Sequence, residues 1–431
     1  MQTLVDCAKV SMAKKHENII WVLSELYYPE DSGSGYYITK IAEAIAVRHR
    51  VRVLTVQPTY SARGTKAPAD EVLNNVRIHR CLATTLNKDI LLFRLLNLFT
   101  ISVSIFFNAL RRIHKDDIVL VITNPPTLPF VACIVCQLRG AKLILRIEDV
   151  YPEVLVAADI VKANSALVKV LNTIHRRLYK RADFIIVLGR EMLRLVRTKI
   201  GDGATHAALI THWADSDQIT PLPRESNALL HKLGLMDKFV IQYSCNMGRT
   251  HDLESLIQCA KILETESCIH FLFIGSGAKE AWLSKTVREL GLKNVTILPL
   301  QHRSDLISSL NACDMAVISF VKGMAGASVP SRMYNIMSAG KPILAVSDRE
   351  SELSQVISEE NIGWVVQPES PDLIAEVVME ANANRGLLYQ MSVKARAAAI
   401  EKYSRPIIIQ QHEDLMDNLE LHNKSFRQGI E

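Results

Sequence analysis

The sequence lacks several things that would settle its class at once. It has no stretch of ~20 uninterrupted apolar residues, the length a membrane-crossing helix needs. Its opening segment, MQTLVDCAKVSMAKKHEN, is polar and carries no apolar core, so no secretory signal is expected there and residues 1–17 read as a loose tail. No short-period repeat or low-complexity tract appears. Net charge is small, 50 Lys and Arg against 45 Asp and Glu, or +5. That bias is too weak to argue for nucleic acid, but it suits a protein that touches an anionic membrane or binds phosphorylated ligands.

Cysteine is thinly used. The 8 cysteines are scattered, several inside apolar runs, and they read as reduced thiols of a cytosolic chain. Cys133 and Cys136 spell C-x-x-C in VACIVCQLRG, but no second Cys/His pair accompanies them, so packing inside a buried helix is the expectation. What the chain does have is an ordinary globular balance, 48% hydrophobic and 22% charged, over 431 residues. That length calls for more than one domain.

Apolar runs of strand length alternate with helix-length segments throughout. The first half offers 19–23, 51–56, 118–122, 142–147, 184–188 and 207–210; the second offers 239–244, 271–275, 295–298, 315–320, 342–346 and 363–366. Continuous apolar strands between helices predict parallel sheets covered on both faces, and hence an α/β fold of two doubly wound, Rossmann-like domains. The first is expected over 18–213 and the second over 239–400. Between them, 214–238 has prolines, mixed charge and no periodicity, the marks of a linker. The last segment, 401–431, reads as a helix and tail returning to the first domain. The most apolar stretch, 90–112, is interrupted by Arg94, Asn97 and Asn108 and ends in Arg111 and Arg112. It is either a buried helix or an interfacial one lying on a membrane surface. The basic run HRRLYKR (175–181) is a second feature that fits membrane contact or an ordinary solvated helix face.

Ligands of open parallel sheets bind where strands run into helices, so the loops there carry the candidates. In the second half, Gly275-Ser276-Gly277 follows a strand and precedes a helix. The pair of glycines leaves room for backbone N–H groups to approach a phosphate, or makes a plain tight turn. YSCNMGRTHDLESLI places Asn246, Arg249 and His251 at the mouth of another helix, with Arg249 a permanent cation able to pair with a diphosphate. SVPSRMYNIMSAGKPILA puts Ser331 and Arg332 at a third helix start. Three such ends converging suit a nucleoside diphosphate. In the first half, Gly33-Ser34-Gly35 and Tyr36 follow the first strand, and Asn124 opens the rigid TNPPTLPF loop. LRIEDVYPEVL sets Glu148, Asp149 and Glu153 just beyond a strand, where a carboxylate can take a proton from a hydroxyl or cap the next helix. Asp215-Ser216-Asp217 spells D-x-D, but in the linker, and no other carboxylate cluster asks for a metal.

In this order, YYPEDSGSGYYITKIAEAI, TNPPTLPF, EDVYPEV, LYKRADFIIVLGREM, YSCNMGRTHDLESLI and VPSRMYNIMSAGKPILAV resemble segments of GT-B fold glycosyltransferases of family 4, the branch building bacterial capsule, exopolysaccharide and O-antigen sugars. The resemblance runs from about residue 18 to 415. It implies a retaining, metal-independent transfer from a nucleotide-diphosphate sugar, UDP- or GDP-type, to an acceptor hydroxyl. The donor would lie on the second domain and the acceptor on the first. Catalysis would fall to Asp149 and Glu148, with Tyr36, Asn124 and Glu153 on the acceptor side. Gly33, Ser34, Gly35, Asn246, Arg249, His251, Gly275, Ser276, Gly277, Ser331, Arg332 and Asn335 would hold the donor, and no cofactor beyond that co-substrate is implied. The resemblance departs at four places: the family's paired glutamates fall on Ala327 and Asn335, and its Arg and Lys on Asn246 and His251. Partners would be the nucleotide sugar and a saccharide or lipid-linked acceptor at the inner face of the cytoplasmic membrane. A GT-B sugar-nucleotide 2-epimerase and a two-domain solute-binding protein are the alternatives.

Overall fold

Each of those apolar runs becomes a strand, and the strands assemble into two sheets. The structure, a computed structural model, describes residues 18–428 except 32, 60–61, 88–89 and 202–204; the tail expected over 1–17 lies outside the described residues. The first sheet contains β1 (Ile20–Leu23), β2 (Val51–Val56), β3 (Asp70–Leu73), β4 (Val76–Cys81), β5 (Ile118–Ile122), β6 (Lys142–Arg146), β7 (Phe184–Val187) and β8 (His206–Leu209). Their order is β3-β4-β2-β1-β5-β6-β7-β8. All pairs are parallel except β3 with β4. The second contains β9 (Phe239–Ser244), β10 (Ile269–Ile274), β11 (Val295–Leu298), β12 (Met315–Ser319), β13 (Ile343–Val346) and β14 (Gly363–Val366). Its order is β11-β10-β9-β12-β13-β14, parallel throughout. The expected doubly wound α/β architecture is what the chain adopts.

Two strands escaped the apolar-run reading. The β3–β4 hairpin is polar and alternating: β3 buries no side chain, and β4 buries Val76, Ile78 and Arg80 on one face and Cys81 at its end on the other. Its turn is Asn74-Asn75, both with φ in the left-handed region (48° and 64°), the conformation Asn tolerates best among non-glycine residues.

Helices cover both faces of the first sheet. α1 (Gly33–Ile45) packs on one face. On the other lie α2 (Leu91–Arg112), α3 (Leu128–Arg139), α5 (Ala166–Arg181) and α6 (Arg190–Ile200), while the short α4 (Glu153–Ala157) precedes α5. Cys133 and Cys136 are free thiols buried on the inner face of α3, which accords with packing. Around the second sheet run α7 (Ala228–Leu233), α8 (Leu253–Ile262), α9 (Glu280–Glu289), α10 (Leu306–Leu310), α11 (Arg332–Ser338), α12 (Glu352–Glu360), α13 (Pro371–Ala383) and α14 (Arg385–Glu401). α15 (Arg405–Gln428) then crosses back. Its Ile408 and Met416 enter the core formed with α1, and its Asp417 pairs with Arg48 and His49.

One buried cluster ties these parts together. Arg146, at the end of β6, is fully buried. Its Nε donates to Glu148 Oε1 at 2.9 Å, Nη1 to His412 Nε2 of α15 at 3.4 Å and Nη2 to His212 Nδ1 at 3.3 Å. A guanidinium only donates, so both imidazoles offer lone pairs and are neutral. His212 then carries its proton on Nε2, which lies 3.3 Å from Glu148 Oε2. Burial alone would raise the Glu148 pKa, but the Arg146 charge and His212 hold it at about 2. Burial, with Arg146 alongside, depresses both histidines.

Two outcomes follow. Removing the cation in Arg146→Met leaves a buried carboxylate with no positive charge beside it and should cost about 3–5 kcal/mol; adding Glu148→Gln should recover a large part of it, measured as urea midpoints. Secondly, His175, His251 and His270 are lowered by burial to about 4, and His212 and His412 move the same way. A group whose folded pKa is depressed stabilises the fold while both states are neutral and ceases to as pH falls through the unfolded value, ~6.5. His175, His251 and His270 should therefore each cost about 1 kcal/mol at pH 5.5, and thermal melts should show a clear drop in Tm between pH 7.5 and 5.5.

Candidate functional site

Strand order reverses direction between β1 and β5 in the first sheet, and between β9 and β12 in the second. A parallel sheet opens a crevice beyond its carboxyl edge at such a point. The loops leaving these strands make the two walls of the site.

On the first wall, the turn after β1 enters α1. Gly33 has φ +49° and faces open space, whereas a Cβ on Gly35 would meet Glu30 O at 3.0 Å and Leu26 Cβ at 3.3 Å. Gly35 is thus required by close packing, and Gly33 and the half-buried Ser34 lie at the opening. The Tyr36 hydroxyl donates to Asp215 Oδ1 at 2.8 Å. Arg303, from the second half of the chain, lies 4.3 Å over the Tyr36 ring and donates from Nη1 to Asp31 O at 2.6 Å. These contacts join the two walls on the α1 side.

Asn124 begins the loop after β5 and is half-buried. Its neighbour Thr123 accepts through Oγ1 from the backbone N–H groups of Glu148 (2.9 Å) and Asp149 (3.3 Å), fixing the loop beyond β6. Glu148 turns in to join Arg146 in the buried cluster, while Asp149 lies against the segment of the opposite wall that carries Ser328. The two carboxylates expected as a catalytic pair therefore part company: Glu148 is buried and bonded within the Arg146 cluster. Asp149 is half-buried and forms a β-bridge with Ser328 of the opposite wall, and Val150 N donates to Ala327 O at 2.8 Å. Burial and the adjacent Glu148 charge raise the Asp149 carboxyl to about 6 against the lowering hydrogen bond from Ser328. Glu153 is likewise drawn away from the cleft. It pairs with the buried Lys199 Nζ at 2.7 Å, which also donates to Tyr151 O and Asn172 Oδ1.

On the second wall, the loops after β9 and β10 are laced together. Cys245 N donates to Ile274 O, Met247 N to Ser276 O and Lys279 N to Met247 O. A Cβ on Gly275 would lie 2.0 Å from Cys245 O, and one on Gly277 2.4 Å from Asn246 Oδ1; both residues have positive φ, 152° and 147°. The glycines are demanded by this loop-to-loop approach, a reason the spacing did not disclose. Asn246 and Arg249 are exposed at the loop's outer side. His251 is buried against Tyr243 and Phe320; its ring bonds the Ser319 backbone, and Nδ1 has no partner among the described residues.

Arg332 reaches back to the end of β9, donating from Nη1 to Ser244 Oγ at 2.8 Å, close enough to His251 to help depress its pKa. Ser331 makes no capping bond. Lys279, which the sequence did not single out, brings its Nζ to His251 O and Glu254 Oε2, each at 2.7 Å. Asn335 accepts weakly from Asp215 N at 3.4 Å, and Ala327 is buried at the junction of the walls. Asp215 itself is occupied by Tyr36 and by Trp213 Nε1, at 3.0 Å, so the D-x-D spelling ties the linker to the first wall.

With the geometry in place, the comparisons are decisive for the family. The model "Glycosyl transferase 4-like domain" matches residues 32–211, and "Glycosyl transferases group 1" matches 228–399. The probable glycosyltransferase WbjE of Pseudomonas aeruginosa is 33% identical over 272 residues, spanning 62% of this chain and 67% of the relative. The putative colanic acid biosynthesis glycosyl transferase WcaI of Escherichia coli is 28% identical over 375 residues, 82% and 90% of the two chains. Among solved structures, sucrose-phosphate synthase from Thermosynechococcus elongatus superposes with a TM-score of 0.75 at 16% identity, covering 94% of this chain and all of that one (100%). HepE from Anabaena, solved with UDP and glucose, gives 0.70 at 15% identity with the same coverage, 94% and 100%. The glycosyltransferase reading thus takes precedence over the epimerase and solute-binding alternatives: the chain belongs to the GT-B glycosyltransferases of the family 4 type.

Proposed function

We propose that this enzyme moves a sugar from a nucleoside diphosphate sugar, UDP- or GDP-type, to a saccharide hydroxyl during cell-envelope or extracellular polysaccharide synthesis, with retention at the anomeric carbon. One observation carries the reading. Asp149, a carboxylate of the first wall, is bridged to Ser328, four residues before the cation Arg332 of the second. A group able to take a proton and a group able to meet a leaving diphosphate thus flank one crevice. HepE, whose structures hold UDP and UDP-glucose, supports the donor class. The name of WcaI, a putative colanic acid biosynthesis glycosyl transferase, supports the polysaccharide setting.

In the proposed reaction the bond between the anomeric carbon and the diphosphate oxygen breaks, its electron pair staying with the diphosphate. The acceptor oxygen bonds to that carbon on the same face, and its proton passes to Asp149. Arg332, assisted by Lys279, balances the charge that develops on the leaving group, the main electrostatic demand of such a step. Ser331 and the exposed Ser276 and Asn246 at the two turns complete the phosphate side, and the free Nδ1 of His251 accepts from a donor hydroxyl. Asn335, uncharged, offers ribose hydroxyls both donor and acceptor. Tyr36, Asn124 and the open edge at Gly33 and Ser34 border the acceptor and the donor sugar. Glu148 acts at one remove, as a positioning residue that keeps Asp149 in place. We place the reaction on the cytoplasmic side of a membrane, a compartment that fits the free thiols of the described cysteines.

A thermal-shift panel of UDP, GDP, ADP and dTDP tests the donor site. One diphosphate at a hundred times its Kd should add about 2.7 kcal/mol of stability, and Arg332→Ala should abolish the shift; no shift with any of the four would overturn the reading. Asp149 works as its carboxylate, so with its pKa about 6 the transfer rate should fall as pH drops through 6. Asp149→Asn should lose at least ~100-fold in rate while keeping the nucleotide shift.

A further inference from the structure

Helix α2 is apolar on its outer side as well as on the side it packs in the core. Its polar Asn97 faces inward, 2% exposed, with its amide bonded to Leu86 N and O and to the Thr84 hydroxyl. Ile101, Ile105 and Ala109 on the same side pack in the core. Outward stand Leu92 (69% exposed), Leu95, Leu96, Phe99 (66%), Val103 and Phe107. Their spacing puts them on one stripe along the whole helix. The stripe continues sideways. α3 packs against α2, and α5 against α3, on the same face of the first sheet. α3 exposes Ile134 and Leu138 there, and α5 exposes Leu167, Val170 and Ile174. Between α2 and α3 runs a shallow groove of about 260 Å³ lined by Phe99, Phe106, Phe107 and Val131.

The charges on this face have one sign. The 22 residues of α2, 12 of α3 and 16 of α5 contain no Asp or Glu, against three, one and five Lys or Arg respectively. A helix meant for water carries both signs on its outer side, and a second copy of this chain would bring cations against cations. An apolar face on helices whose charges are all basic fits acidic lipid headgroups over an acyl layer. By length and composition Leu92–Arg112 could also cross a membrane, but crossing would strip Ile101, Ile105 and Ala109 from the core, so the helix lies in the interface.

We propose that α2, α3 and α5 form a docking face for an anionic lipid bilayer. α2 starts just past the carboxyl edge of β4, and Arg94 in its first turns is near enough to Tyr151 to influence that phenol's titration. The docked face therefore holds the acceptor wall at the lipid surface, which suits an acceptor carried on a membrane lipid; that last step rests on the transferase reading above.

The test is flotation of the full chain with vesicles of phosphatidylcholine alone or mixed with phosphatidylglycerol. Phosphatidylglycerol should raise bound protein by about tenfold, less so in high salt. Phe99→Ser with Phe107→Ser should return it to the soluble fraction, and Arg111→Gln with Arg177→Gln should reduce binding to the acidic vesicles alone. Each variant should keep the wild-type nucleotide shift, which reports folding. Docking is overturned if wild type stays soluble with both vesicles, if the Ser variant floats unchanged, or if that variant instead dissociates a dimer seen by sedimentation. A nucleotide shift without flotation sinks the docking face alone, and flotation without any nucleotide shift sinks the transferase reading alone.

Discussion

A single buried guanidinium sets the relation between the parts of this enzyme. Arg146 ends strand β6, and its three contacts reach the following loop through Glu148, the segment entering the linker through His212 and the returning helix α15 through His412. Desolvating such a charge costs several kcal/mol, and only complete hydrogen bonding offsets it. The cluster therefore tolerates one arrangement of strand, linker and crossover helix and penalises the others. It favours specificity over strength, because an apolar substitute of equal volume would pack without fixing where the linker runs. The linker in turn positions Asp215, which receives Tyr36 of α1, so the wall of the cleft inherits its register from a charge that never meets substrate.

Much of this was legible in the sequence where physics acts locally. A parallel strand covered on both faces must be a continuous apolar run, and the twelve runs read that way all lie on strands. The β3–β4 hairpin escaped because an edge hairpin needs only one buried face. The candidate loops were legible for the same local reason, since a strand running into a helix defines the carboxyl edge. What each residue does there was less so. Gly275 and Gly277 looked like space for a phosphate, yet the space is filled by a neighbouring loop. Glu148 and Asp149 looked equivalent until the fold set one in the Arg146 cluster and one against the opposite wall. His212 and His412 lie 66 and 266 positions from Arg146, and no spacing rule connects residues brought together only by the fold. Composition also left α2 undecided, because it records how apolar a helix is and not which side meets the sheet.

If the cleft is the proposed donor site, it differs from the pattern the family resemblance implies while keeping a positive charge there. Where related enzymes are expected to place acidic residues on α11 and the loop before it, this chain has Ala327 and Asn335, and where they place cations it has Asn246 and His251. Both signs are withdrawn together. The positive charge is kept by Arg332, anchored on Ser244, and by Lys279 from the neighbouring loop. Ala327 became a buried junction residue whose carbonyl receives Val150 N. A glutamate there would face a desolvation cost with no cation beside it, so the loss of the acid and the close seating of the two walls belong to one change.

That seating makes the chemistry of Asp149 depend on the opposite wall. Its carboxyl is raised because the segment ending in Ser328 covers it and Glu148 lies behind it. Were the walls to separate, water would reach the carboxylate and its pKa would return towards ~3.9, the unperturbed value. A carboxylate of such low basicity is a poor acceptor for a hydroxyl proton. Approach of the second domain therefore also raises the proton affinity of Asp149. In the proposed reaction the base would then be strongest when Arg332 is in place to meet the leaving group, and away from that arrangement it would be an ordinary solvated aspartate.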